Sequence, residues 1–161
     1  MSSKRLRLLL IGLVAALALG LLLYPSDEKK VRKAAEAIVE AANEGPVELT
    51  RALEQYAVAE VVVTVSDLPE PLEGRAALVG AASRAQVGGR QLRFRMETVE
   101  ISVEGSHARV NADMVASLQL GLRNMRQARH GVAMFQKIDG RFQLVSAEVG
   151  SERHDQPEAR P

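Results

Sequence analysis

The C-terminal half of the chain reads as four long strands in unbroken succession. Residues 91–103, 107–122, 128–138 and 141–149 alternate apolar and polar side chains, with turn signals between them. Asp139-Gly140 is a two-residue hairpin signal, because both residues tolerate the positive φ of a type I′ turn. The turn sets a register: Met134 opposite Val145, Val132 opposite Ala147, and Phe135 beside Leu144 across the strands. Glu104-Gly105 is a second tight turn, which sets Ile101 opposite Ala108 and Val99 opposite Val110. Inside the first of these strands the apolar parity slips. Leu92, Phe94 and Met96 share one parity; Val99, Ile101 and Val103 share the other. Such a slip near Glu97-Thr98 is the signature of a β-bulge, and bulges bend sheets. A strongly curved antiparallel sheet needs helices laid into its hollow.

The first half supplies them. Ser26 is a suitable N-cap, with Asp27 and Glu28 favourable in the first turn. Val31, Ala34, Ala35, Ile38, Ala41 and Ala42 follow at helical spacing, and Gly45-Pro46 stops the run. A second helix covers residues 47–56. Residues 57–66 are Val-rich and read as a strand. The two prolines within 67–71 make that stretch a loop, and a third helix covers 74–86. The predicted class is α+β: a cone-like curved antiparallel sheet with three helices, preceded by one transmembrane helix.

That last element comes from the front of the chain. Lys4, Arg5 and Arg7 precede the 17 uncharged residues 8–24, nine of them Leu. At about 1.5 Å per residue these span roughly 25 Å, the short end of what crosses a hydrocarbon core. The Leu, Ile and Val residues favour insertion by roughly 3–6 kcal/mol. A cleaved signal peptide is the competing reading, with Ala16-Leu17-Ala18 as its site, although the apolar run continues past it. The cations keep residues 1–7 in the cytoplasm and send the C-terminal domain across the inner (plasma) membrane, single-pass. The composition, rich in Ala, Arg, Val and Leu, suggests bacteria. Residues 27–150 form one domain, and the polar tail 151–161 is expected to be disordered. Without the three leading cations, 18 basic residues face 20 acidic ones, which argues against nucleic acid as a partner.

The element order, together with three local stretches, resembles the nuclear transport factor 2-like superfamily, with its SnoaL-like and ketosteroid-isomerase-like domains. The stretches are Pro71-Leu72-Glu73-Gly74-Arg75 before a helix, the bulged long strand, and Lys137-Ile138-Asp139-Gly140-Arg141-Phe142. The resemblance covers residues 27–150. It implies a pocket between helices and sheet, and often dimerisation through the sheet. Isomerase-like members place a tyrosine and carboxylates inside that pocket. Here the first helix turns Ala and Val inward, which counts against isomerase or cyclase chemistry.

The expected pocket residues are Tyr56, Met96, Met114, His130 and Met134, of which only Tyr56 and His130 carry a polar atom. Asp113 is expected on the convex face. Val115, Phe135, Phe142 and Leu144 are also placed on that face, as interface candidates for a homodimer or for a protein of a membrane complex. Arg123, Arg126 and Arg129 cluster at one hairpin, where they suit anionic headgroups or an acidic partner. No catalytic residue, cofactor or metal site is assigned, since no phosphate loop, HExxH or Cys pair occurs. The leading expectation is a membrane-anchored, non-enzymatic domain that binds a partner outside the cytoplasm. The alternative is a binder of a small hydrophobic ligand, or a SnoaL-like or ketosteroid-isomerase-like enzyme, using the cone.

Overall fold

The computed structural model describes residues 26–86, 91–120 and 123–152. Helix α1 is Asp27–Glu44, α2 is Pro46–Tyr56 and α3 is Arg75–Ala85. The strands are β1 (Ala57–Val65), β2 (Leu72–Glu73), β3 (Gln91–Glu104), β4 (His107–Leu120), β5 (Arg123–Ile138) and β6 (Arg141–Glu152). They form one sheet in the order β2-β1-β6-β5-β4-β3. Only the β1–β6 pairing is parallel. The predicted anchor, residues 8–24, lies outside the described residues, as does the predicted tail beyond Glu152. Among the described residues no helix is long and apolar enough to cross a membrane.

Local chemistry fixes the helix ends. The Ser26 hydroxyl accepts from the Lys29 amide at 3.3 Å. Gly45 then breaks α1 with φ 146°, and Pro46 opens α2 at the first position, where its missing N–H costs nothing. Arg75 donates through Nε and Nη2 to the Ala57 carbonyl, tying α3 to the junction of α2 and β1.

The bulge in β3 is where the parity slip puts it, between Met96 and Val99. Asp139 (φ 49°) and Gly140 (φ 77°) make the last hairpin. Two registers differ from expectation. The turn between β3 and β4 is Gly105-Ser106, with Glu104 opposite His107, so Ile101 faces Val110 and Val99 faces Ala112. In the last hairpin Phe135 does oppose Leu144, but a bulge at Val145 then moves Met134 opposite Ser146 and Val132 opposite Glu148.

A larger correction concerns which face of β5 turns inward. The hairpin sets pairing but leaves two faces to choose between. Strand β4 decides, because directly opposed residues share a face. Ala108, Val110 and Ala112 are buried, and they oppose Phe135, Ala133 and Gly131. Phe135, only 2% exposed, therefore lies in the core with Phe142 and Leu144, rather than on the convex face. Met134, expected inside, is 38% exposed. The bulge at Val145 lets Phe142 and Leu144 on one side of it, and Ala147 and Val149 on the other, all face the helices. Val31, Ala34, Leu49 and Leu53 of α1 and α2 meet them there.

Candidate functional site

The helices do not fill the cone. Between them and the sheet lies a cavity of about 300 Å³, at the lower end of small-molecule sites. Ala35, Ile38 and Ala42 come from α1, Leu49 and Leu53 from α2, and Leu78 from α3. The sheet contributes Phe94, Met96, Met114, Phe135 and Leu144 as its large side chains. Its centre is made of Ala112, Gly131, Ala133 and Ala147. The space follows from that choice: small residues stand side by side on β4, β5 and β6, where larger ones would have packed against α1. A Cβ on Gly131 would come no nearer than 3.5 Å to any atom, so the backbone does not demand glycine there.

One side chain bridges helix and sheet through the backbone of β3. Asn43 at the end of α1 donates to the Phe94 carbonyl at 2.8 Å and accepts from its amide at 2.7 Å. Both bonds go to the edge strand β3, so the amide acts as a substitute strand partner. At the far end Lys137 holds Asp27 at 3.0 Å and lies 5.5 Å from the Phe142 ring centre. The hydrogen bond from Lys137, and next that from Lys30, hold the Asp27 carboxyl below the usual aspartate range.

Met96 and Met114, two of the expected pocket residues, line the cavity. The other three do not. Tyr56 ends α2 and packs against the core without lining the cavity. His130 faces the convex side, 51% exposed, with Nδ1 3.2 Å from Asp113 Oδ1. Met134 is on that side too, because β5 presents its odd-numbered residues to the helices. Of the interface candidates, Val115 alone shares the convex side, by its alternation with Met114, and it is 3% exposed. The arginines separate as well. Arg126 bonds Glu97 at 2.7 Å on the convex side. Arg129, on the concave side, pairs with Asp67 and holds its carboxyl below the usual range by that hydrogen bond. Of Arg123 only the backbone in β5 is described.

Chemically the lining is almost all carbon. Glu148 is the one titratable residue among the described lining, and it is exposed; its carbonyl oxygen is what approaches Gly131. No group of three or more metal-ligating side chains occurs among the described residues. General acid–base chemistry needs a proton carrier within hydrogen-bond reach of the bound molecule, and no described lining side chain is one. Sequence reasoning faced Ala112 and Ala147 to the hollow but missed Gly131 and Ala133 beside them. The available signal was the run of small residues at matched positions of β4 and β5.

Known proteins extend this picture. A family model for the SnoaL-like domain matches residues 31–149. The chain is similar to a nuclear transport factor 2-like protein with a cystatin-like fold from Novosphingobium aromaticivorans, with TM-score 0.70 and 19% identity, over 90% of this chain and 91% of that one. It is similar to a conserved protein from Planctomyces limnophilus (TM-score 0.66, 18% identity, 78% and 95% covered). A third relative, from Catenulispora acidiphila, is in complex with S-DNPA (TM-score 0.63, 16% identity, 75% and 90% covered). At these identities the likeness is one of fold, a cystatin-like α+β cone. No curated protein matches the chain.

Proposed function

We propose that this chain, which belongs to the SnoaL-like domain family, is a non-enzymatic binding module that holds a small apolar molecule in its cone. Fold membership leaves function open, so the reading rests on the cavity. The observation that carries it is an open volume of about 300 Å³ walled by Ala, Val, Ile, Leu, Phe and Met, with no titratable side chain turned inward among the described lining residues. Such a site desolvates an apolar ligand and offers no proton carrier to act on it. The complex of the Catenulispora acidiphila relative with S-DNPA is in keeping with ligand binding on this fold. In the same proposal, residues 8–24 anchor the domain at the outer side of the cytoplasmic membrane. A role in binding a protein through Phe135, Phe142 and Leu144 draws no support, since those side chains are in the core.

The test is titration of the full chain with decanol by calorimetry, beside Met114→Phe. Met114 lines the cavity, and a rigid ring there removes space. Saturable binding by the parent chain that Met114→Phe abolishes, with the fold retained by circular dichroism, supports the reading. No binding by the parent chain, or binding indifferent to the substitution, refutes it.

A further inference from the structure

Arg129 is a basic side chain that the register of β5 directs to the concave side, next to the cavity lining. It opposes Met114 and lies two residues from Gly131, both of which line the cavity. Its side chain is only 15% exposed. The guanidinium extends from β5 past β6 to Asp67, just beyond β1. Ser66, next to Asp67, is hydrogen-bonded at both its amide and its hydroxyl to the carbonyl of Val149, another lining residue. The charged fork therefore lies beside the lining residues Met114, Gly131 and Val149, without being part of the lining itself. Its pairing is incomplete: Nη2 donates to Asp67, while Nη1 is buried with no acceptor among the described residues. A buried donor without an acceptor is costly, more so on a charged group.

We infer that the cone's ligand is an apolar monocarboxylate, whose carboxylate takes the Arg129 fork in place of Asp67 while its hydrocarbon fills the cavity. The inference rests on the reading of the cone as an apolar-ligand site. Geometry favours this class. A guanidinium presents two parallel N–H groups that match the two oxygens of a carboxylate. Asp67 engages only one side of that fork, and it stands in a turn with its side chain 56% exposed. A phosphate would bring extra negative charge beside Asp67 with a single guanidinium to balance it, so it is disfavoured.

The experiment compares decanoic acid, decanol and decyl phosphate on the full chain by calorimetry, with Arg129→Met and Asp67→Asn beside the parent. The parent is expected to prefer the acid over the alcohol by roughly ten- to a hundredfold, the size of one hydrogen-bonded charge contact. Arg129→Met should erase that preference, so that the acid binds no more tightly than decanol. Asp67→Asn should enlarge it by removing the competitor. Equal affinity of the parent for acid and alcohol, a stronger affinity for the phosphate, or a preference that persists in Arg129→Met would overturn the inference while leaving the apolar site standing. If neither acid nor alcohol binds the parent, the site itself is refuted. Should Arg129→Met not fold, the parent's acid-to-alcohol ratio and the response of Asp67→Asn still decide.

Discussion

Replacing Phe135 with Ala tests the placement of β5 most sharply. The ring is 2% exposed and lies where Ala108 of β4 and Leu144 of β6 flank it. Its removal loses the transfer energy of a benzyl group and enlarges a cavity that already exists, because the ring is part of the wall. Both terms act together, and a buried Phe→Ala costs about 3–5 kcal/mol. Against a typical total of about 5–15 kcal/mol, that is a large fraction. For a domain of this size it corresponds to a fall in Tm of roughly 10–25 °C. The neighbouring Met134 is its control. With its side chain on the convex face, Met134→Ala should cost well under about 1 kcal/mol. Thermal melts of the two variants, followed by circular dichroism, provide the comparison. If Met134→Ala is the damaging change and Phe135→Ala is tolerated, β5 has the opposite face inward and the cavity described above does not exist.

Three further outcomes follow from particular contacts. Asn43→Ala removes two hydrogen bonds to Phe94 and should cost about 1–3 kcal/mol, with faster hydrogen exchange at the Phe94 amide as its local readout. Gly131→Ala should leave Tm nearly unchanged, because the added Cβ meets only ordinary contacts at 3.5 Å and beyond, yet weaken decanol binding measurably by narrowing the cavity. The carboxyls of Asp27 and Asp67 both titrate below the usual 3.8. Their contribution is therefore complete above that value and is lost as pH falls through the lower folded-state values; Tm plotted against pH should drop there, and Asp27→Asn with Asp67→Asn should flatten the drop.

Much of the architecture was legible because it is written in local signals. Ser26, Gly45-Pro46 and Asp139-Gly140 each solve a backbone problem within a few residues, and each marks a real boundary. The slip around Glu97-Thr98 gave the bulge because parity is visible within a single strand. The face of β5 was not visible in that way. Met134 and Val132 are more apolar than Ala133 and Gly131, so bulk alone points to the wrong side. What decides is the pairing with Ala108, Val110 and Ala112 on β4, together with the space that α1 occupies. The bulge at Val145 does leave a trace in 141–149, where the apolar residues change parity from Phe142 and Leu144 to Val145, Ala147 and Val149, but the expected register came from the Asp139-Gly140 turn alone. These two facts moved Phe135, Phe142 and Leu144 into the core, and sent His130 out to Asp113. Arg129 read as one of three hairpin cations because the strand was expected to start only at 128; β5 starts at Arg123, and within a strand 126 and 129 lie on opposite sides.

The methionine methyl groups offer the most direct measurement of an open, apolar cone. Met96 and Met114 line the cavity, whereas Met125 and Met134 are exposed. With methyl-labelled methionine in the full chain, titration with decanol should shift the Met96 and Met114 signals together and saturably, leaving Met125 and Met134 in place. Unmoved Met96 and Met114 signals, or equal shifts at all four positions, would contradict a ligand-holding cavity between the helices and the sheet.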